Sequence, residues 1–490
     1  MATPIPSNRA PLSTFAAAAA TGGTIVRGDE ARAEGVTTDS RAVAAGGAFV
    51  ALRGESHDGH DYLADAAKRG AVLVLVERGH GRDVPPGVDV VEVEDTLDAW
   101  GAIAAAHLRA WRRIRRPDPA RVVAITGSAG KTTTKELCAC LLGAMGPCHS
   151  TLGNLNNRIG LPAVVLGLEE QHRFAVLEMG MSLRGEIAAL ATIARPDVAI
   201  LTNVGVAHAE GVGGARGDVA REKGALFAAL PEDGVAVANA DDGAVMGAVA
   251  RTVAANVVTF GRDEAATYRL LEREGLGVHG SRIVVARRGS SQESRRGPIE
   301  AILPLVGEAV AIDFAAALAA AESAGGWALT TGVVAEALAQ LRPPEGRASI
   351  REIGDIVVLD DTYNANPASM LAAIATLAEL ARSKGGRAVA VLGEMKELGA
   401  RAREEHAAIG DALAGAGVAL AIGCGGLASV ALTSAAQKGV AVVDAPDVAS
   451  ATAEALGSVL PGDVILVKGS RSVGAEAIVS ALAKRKQGIT

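Results

Sequence analysis

The chain has 490 residues, 49% of them hydrophobic but only 2% aromatic, and 55 acidic against 48 basic side chains give a formal net charge of −7. That balance offers no global attraction to nucleic acid, the scarce rings leave few platforms on which bases could stack, and no run of about 18 apolar residues is present to span a bilayer. Four cysteines (138, 140, 148 and 424) lack metal-finger spacing and Ala16–Ala20 is too short for a signal-peptide core, so a cytoplasmic protein of roughly three domains is expected.

Near the start lie Val36-Thr-Thr-Asp-Ser-Arg41 and Phe49-Val-Ala-Leu-Arg-Gly-Glu-Ser-His-Asp-Gly-His-Asp61. His57 and His60, three apart beside Asp58 and Asp61, read as a polar turn rather than a metal site. Arg109-Ala-Trp-Arg-Arg-Ile-Arg-Arg-Pro-Asp-Pro119 reads as a solvated helix end entering a linker, which closes a first domain at residues 1–118.

A β-branched apolar run, Val122–Thr126, then leads into Thr126-Gly-Ser-Ala-Gly-Lys-Thr-Thr-Thr134. Strand, glycine turn and helix together cradle phosphate: the glycines admit backbone N–H groups close to its oxygens, the helix N-terminus adds a positive dipole end, and Lys131 adds a charge. Thr132 is placed to bind Mg²⁺. Ile125 stands where the longer phosphate-loop pattern has its first glycine, so this is a shorter variant. Cys138 and Cys140, two apart on the following helix, read as small packing residues.

Further strands are expected at Phe174–Leu177, Val198–Thr202 and Val235–Ala238, alternating with helical stretches as in a parallel sheet. Polar residues collect at their ends, where such sheets bind ligands. Glu178 is the first metal candidate, since a carboxylate beside a phosphate loop completes an oxygen ligand set. Asn203 and His208 follow the next strand. Arg287–Gly297 reads as an exposed loop, and Leu341-Arg-Pro-Pro-Glu-Gly346 as a junction, dividing the remainder into 119–344 and 345–490. Beyond it, Ile356–Leu359, Arg387–Leu392, Val418–Ile422, Val440–Val443 and Val464–Lys468 form a second α/β unit. No internal repeat is evident.

Several strings in this order carry a resemblance over nearly the whole chain: the loop at 127–134, Gly153-Asn-Leu-Asn-Asn-Arg-Ile-Gly160, Glu178-Met-Gly-Met181, Asn203–His208 and Asp360-Asp-Thr-Tyr-Asn-Ala-Asn-Pro367. Together they resemble the Mur ligase family. The Asn-Leu-Asn-Asn and Asp-Thr-Tyr-Asn-Ala-Asn-Pro strings, with Val36–Arg41 and Lys468-Gly-Ser-Arg471, are similar to its D-alanyl-D-alanine-adding branch. The resemblance implies three α/β domains: an N-terminal UDP-substrate-binding domain, a central phosphate-loop parallel-sheet ATPase domain and a Rossmann-like C-terminal domain. It implies a monomeric ligase of peptidoglycan precursor synthesis, with UDP-N-acetylmuramoyl-tripeptide and D-alanyl-D-alanine as partners, and ATP and Mg²⁺ as cofactors. It would form an amide through an acyl phosphate.

By the same resemblance, Gly127, Ser128, Ala129, Gly130, Lys131, Thr132 and Thr133 hold ATP, with Asp361, Asn364 and Asn366 near adenine and ribose and Arg347 reaching the phosphates. Thr132, Glu178, His208 and Lys223 form the metal set, and Lys131, His208 and Lys223 are catalytic. Lys223 matches a lysine carbamylated in the family. Ser40 and Arg41 would bind the UDP portion, Asn154, Asn156 and Asn157 the peptide, and Lys468, Ser470 and Arg471 the peptide or D-alanyl-D-alanine carboxylate.

Three departures accompany this match. Gly307–Leu318 lacks the family's His-Asn pair and the second asparagine near adenine, leaving Asp313 to compensate. Arg158 replaces a common Glu, and Ala225 stands where the family has Glu. Competing readings are a sibling ligase adding a single amino acid, a phosphate-loop ATPase without ligase activity, and a noncatalytic nucleotide-binding subunit.

Overall fold

A computed structural model describes residues 3–54, 57–114, 118–206, 209–254, 256–288 and 297–485. His208 and most of the expected loop at 287–297 lie outside the described residues.

In the first unit, a parallel run of strands Val36–Thr37, Ala48–Val50, Leu73–Glu77 and Asp89–Val93 carries Thr24–Arg27 antiparallel at its edge. Helix Thr96–Arg113 starts where the Asp95 carboxylate accepts the Asp98 N–H at 2.8 Å. Its apolar stripe, with Trp100, Ile103, Ala104, Leu108 and Trp111 buried, recurs at helical spacing. The stripe seals the first unit to the second: the Trp100 indole N–H donates to the Ile159 carbonyl at 2.9 Å. The basic helix end is more than a solvated face, because Arg112 forks onto Asp197 with two contacts of 3.0 Å.

Among the described residues, the middle unit holds a nine-stranded sheet. Cys148–Ser150, Phe174–Glu178, Arg121–Thr126, Val198–Leu201, Val235–Asn239 and Asn256–Gly261 run parallel in that spatial order. Tyr268–Gly275, Ser281–Arg287 and Ile299–Leu303 extend it, the last two pairings antiparallel. Both faces of the central strands are covered by helices, so they read as continuous apolar runs rather than alternating ones. Helix Glu308–Gly325 is alanine-rich and buried along almost its whole length, and it packs closely on helix Lys131–Gly143 after the phosphate loop.

The third unit orders its sheet as Ser349–Ile353, Ile356–Asp361, Val464–Lys468, Ala388–Leu392, Leu420–Cys424 and Ala441–Ala445, with only the first strand antiparallel. The strand expected at 418–422 begins two residues later for a clear reason. The Val418 N–H is taken by the Leu413 carbonyl at 3.1 Å and Gly417 turns at φ +71°, so Val418 still belongs to the helix exit.

Helix Pro367–Lys384 joins the third unit to the second along its full length. Asn366 caps it in a reciprocal box with Ser369, and the Asn366 side chain also donates to the Ser128 carbonyl at 3.1 Å. Farther along, Glu379 receives both terminal nitrogens of Arg273 at 2.8 and 2.7 Å. Arg273 is 8% exposed, so Arg273→Ala leaves a half-buried carboxylate without its partner. We expect a loss of about 1–3 kcal/mol of domain docking, seen as a larger radius of gyration in small-angle scattering and faster proteolysis at 341–346.

Candidate active site

Strand Arg121–Thr126 runs between Phe174–Glu178 and Val198–Leu201, so the carboxyl ends of three neighbouring strands open onto one place. Two glycines there have separate reasons. A Cβ at Gly127 would lie 1.8 Å from the Thr202 hydroxyl, and Gly130 turns at φ +80° to start helix Lys131–Gly143. The loop between them is held from the adjacent strand end. Ala129 N–H donates to Asn203 Oδ1 at 2.9 Å, while its carbonyl accepts from the Thr202 hydroxyl at 2.6 Å and Asn203 Nδ2 at 3.1 Å. The Ser128 hydroxyl accepts the Gly205 N–H at 2.8 Å.

Glu178 is 1% exposed and divides its oxygens: one accepts the Thr132 hydroxyl at 2.7 Å, the other the Asn156 side-chain amide at 2.7 Å. The Thr151 hydroxyl accepts the Glu178 N–H at 2.9 Å, and Lys135, itself buried, donates to the Thr151 carbonyl at 2.8 Å. Lys131 and Lys223 converge on a single acceptor, the Gly127 carbonyl, at 2.8 and 3.0 Å. Burial lowers the Lys131 pKa, opposed by Glu178 and aided by Arg347. Burial pushes Lys223 well below the ordinary lysine value, and the neighbouring Lys131 charge pushes it further against the pull of Glu222.

Across from the loop, the third unit supplies the other wall of a cleft of about 600 Å³. Its lining brings together Ser128, Ala129, Gly130, Lys131, Thr133, Asn154, Asn156, Asn157, Glu178, Lys223, Arg347, Asp361, Asn364, Asn366 and Lys468. The Arg347 guanidinium stacks 3.8 Å from the centroid of Tyr363, another cleft residue. Lys468 is 1% exposed and bonds Asp361 at 2.5 Å and the Asn364 carbonyl at 2.8 Å, which makes it a brace for that wall. Asn157 has a local duty as well, accepting the Ile159 and Gly160 N–H groups at 3.1 and 2.8 Å.

Four expected substrate residues stand outside this lining. Ser40 is buried and Arg41 exposed in the first unit, where Arg41 forks onto Asp39 at 2.9 and 2.8 Å. The Ser470 hydroxyl accepts the Lys396 N–H at 2.9 Å, and Arg471 pairs with Glu476 at 3.3 Å. Conversely, Asn239 and Tyr363 line the cleft without having been assigned to it, and Asp313, expected to compensate for the missing asparagine near adenine, lines it as well. Asn239 sits at a strand end like Glu178, and Asp313 interrupts an apolar helix; both signals are present in the sequence.

A glycine loop at the carboxyl ends of parallel strands, a buried carboxylate on its threonine, and two lysines lining a cleft shared with a second domain define a nucleotide-binding phosphate-loop α/β protein. Family profiles narrow this. Residues 32–108 match "Mur ligase family, catalytic domain", 125–321 "Mur ligase middle domain", and 346–471 "Mur ligase, glutamate ligase domain". The UDP-N-acetylmuramoyl-tripeptide--D-alanyl-D-alanine ligase of Escherichia coli K12 is 35% identical over 458 residues, covering 93% of this chain and 95% of its own. The enzyme of the same name from Synechocystis is 36% identical, at 93% of both chains. Among solved structures, MurF from Acinetobacter baumannii superposes with a TM-score of 0.84 at 29% identity, over 97% of this chain and 99% of that one. MurF from Thermotoga maritima, solved with ADP, gives 0.77 at 28% identity, over 93% and 98%. The chain belongs to the Mur ligase family.

Proposed function

We propose that this chain ligates D-alanyl-D-alanine to UDP-N-acetylmuramoyl-tripeptide at the expense of ATP, yielding UDP-N-acetylmuramoyl-pentapeptide, ADP and phosphate. The observation that carries this is the cleft itself: a phosphate loop and a buried Glu178–Thr132 pair face a second domain, in a chain 35% identical to such a ligase across nearly all of both lengths.

A carboxylate does not react with an amine. ATP overcomes this when a tripeptide carboxylate oxygen attacks the γ-phosphorus and ADP leaves; the dipeptide amine then attacks the acyl carbon, and phosphate departs from the tetrahedral intermediate. Charge develops on phosphoryl oxygens, so stabilisation by fixed groups dominates. In this reading the amides of 127–133 and the Lys131 ammonium hold the phosphates, and Arg347, arriving from the third domain, couples closure to the chemistry. Asp361, Asn364 and Asn366 border the nucleoside.

The donor set fits a Mg²⁺ ion: Glu178 and Thr132 offer hard oxygens in a buried site beside the loop, with Asn156 fixing the carboxylate. Such an ion would supply charge neutralisation at the transferring phosphoryl group. His208 is proposed as a further ligand. Lys223 is proposed to carry a carbamate, for which its burial is apt because carbon dioxide adds only to a neutral amine. Ser40 and Arg41 are assigned to the UDP portion, Asn154, Asn156 and Asn157 to the peptide, and Lys468, Ser470 and Arg471 to orienting the third-domain side of the acceptor site. A monomer working in the cytoplasm is part of the same proposal; among the described residues no helix is long and apolar enough to cross a membrane.

Phosphate release from ATP, measured with UDP-muramoyl tripeptides in the presence and absence of D-alanyl-D-alanine and of single amino acids, tests the assignment. Release requiring both tripeptide and dipeptide is expected. Release with a single amino acid would move the chain to a sibling activity, and release without either substrate would make it an uncoupled ATPase.

A further inference from the structure

Lys135 is 2% exposed and takes no part in lining the cleft. An ammonium group is costly to bury unless it is hydrogen-bonded, so its partners say what it is for. Among the described residues these are the Glu136 carboxylate, which reaches solvent, and the Thr151 carbonyl at 2.8 Å, which belongs to a fully buried residue.

Lys135 follows Thr132 by three positions on helix Lys131–Gly143, so the two side chains share one face of its first turns. Each reaches across to the strand pair beside the helix. Thr132 donates to Glu178 Oε2 at 2.7 Å, and Lys135 takes the residue directly after strand Cys148–Ser150. Thr151 joins the two: its hydroxyl accepts the Glu178 N–H at 2.9 Å, and its own N–H donates to the Val176 carbonyl at 3.0 Å. The result is a closed ring, from Lys135 through Thr151 and Glu178 to Thr132 and back along one helical turn, in which no member is more than 4% exposed.

Thr151 also begins the asparagine loop, which returns to the same carboxylate at Asn156. There the Asn156 side-chain amide donates to Glu178 Oε1 at 2.7 Å, and the Asn156 carbonyl accepts the Gly180 N–H at 2.8 Å. The loop therefore grips Glu178 from both of its ends. Its first end is fastened to the phosphate-loop helix, and the fastener is Lys135.

We propose that Lys135 is a positioning residue of the ligation reaction, holding Thr151, and through it Glu178 and the asparagine loop, in register with the phosphate loop. This rests on the magnesium reading of Thr132 and Glu178 and adds a residue that touches neither nucleotide nor cation. Its effect is to fix the carboxylate in place before a cation arrives, so its loss weakens the cation rather than the nucleotide.

The test compares the full chain with Lys135→Met, which keeps the length and loses the ammonium, and Thr151→Val, which is nearly isosteric and loses only the hydroxyl of the ring. Calorimetric titration with ADP, with and without Mg²⁺, gives the factor by which Mg²⁺ tightens binding. That factor is expected to fall about tenfold in Lys135→Met and in the same direction in Thr151→Val, while ADP affinity without Mg²⁺ stays at the wild-type value. Without metal, amide exchange in peptides spanning residues 151–158 is expected to quicken in both variants. The ligation kcat of Lys135→Met is expected to drop by about 10–100-fold, with an unchanged KM for D-alanyl-D-alanine. The double variant is expected to lose no more than Lys135→Met alone, because both changes cut one ring. Thermal melting verifies folding, and a lysine that served packing alone would lower the melting temperature and leave the Mg²⁺ factor untouched. An unchanged Mg²⁺ factor in folded Lys135→Met, or in Thr151→Val where Lys135→Met does not fold, would overturn the inference, as would losses that multiply in the double variant. Absence of any Mg²⁺ effect on ADP binding by wild type would instead overturn the magnesium reading of Glu178 and Thr132.

Discussion

Glu178→Gln is expected to slow ligation by about 10²–10³-fold, with the loss concentrated in kcat and in the Mg²⁺ concentration needed for half-maximal rate. The carboxylate stands between two donors, the Thr132 hydroxyl and the Asn156 amide, and each takes one oxygen. Glutamine keeps the shape but has a single oxygen, so one of those donors meets an NH₂ group and the site loses the anion that would hold a divalent cation. The stability cost of that mismatch is about 1–3 kcal/mol, small beside the catalytic loss. Magnesium titrations of initial rate, run beside thermal melts, separate the two. A Glu178→Gln enzyme with wild-type rate and magnesium requirement would place the cation elsewhere.

Lys223→Met is expected to do the opposite to stability. Burial and the Lys131 charge favour the neutral amine in the folded chain, while in the unfolded chain the same amine is protonated at any pH below its ordinary range. As pH falls from above that range, the unfolded state binds the proton first, so the lysine destabilises the fold at neutral pH. Its one hydrogen-bond acceptor among the described residues, the Gly127 carbonyl, keeps the Lys131 donor after substitution. Methionine, flexible and apolar, fills the volume without that penalty. We expect a gain of about 0.5–2 kcal/mol, read as a higher melting temperature at pH 7 that converges on wild type as pH approaches 10, together with a ligation rate reduced by about 10²-fold. Unchanged activity at every bicarbonate level would remove the carbamate from the mechanism.

Local patterns in the sequence carried the fold well. The runs at 122–126, 174–177 and 198–202 are strands because β-branched apolar residues covered on both faces have few other places to go, and a glycine loop between strand and helix has one obvious chemistry. What local pattern could not supply was convergence. Lys223 and Lys131 are 92 positions apart, and nothing along the chain says that both end on one carbonyl. Tyr363 looked like a letter in a motif, yet it stacks under Arg347. Strand limits at 418 slipped because a helix exit claimed the residue's N–H, a competition that apolar content does not reveal. Ser470 follows a strand as a ligand residue would, while its hydroxyl is engaged by a neighbouring loop.

The amide that Asn366 extends to the Ser128 carbonyl makes one turn of the third unit a structural member of the phosphate loop, 238 positions away. The nucleotide pocket is therefore not the property of a single domain. Its shape depends on the contact between the two units, and anything wedged along the seam of helix Pro367–Lys384 would be expected to blunt ATP use from outside the pocket. An inhibitor designed for that seam would act as a spacer rather than a nucleotide mimic, and excess ATP would relieve it only as far as nucleotide binding pulls the two units back together.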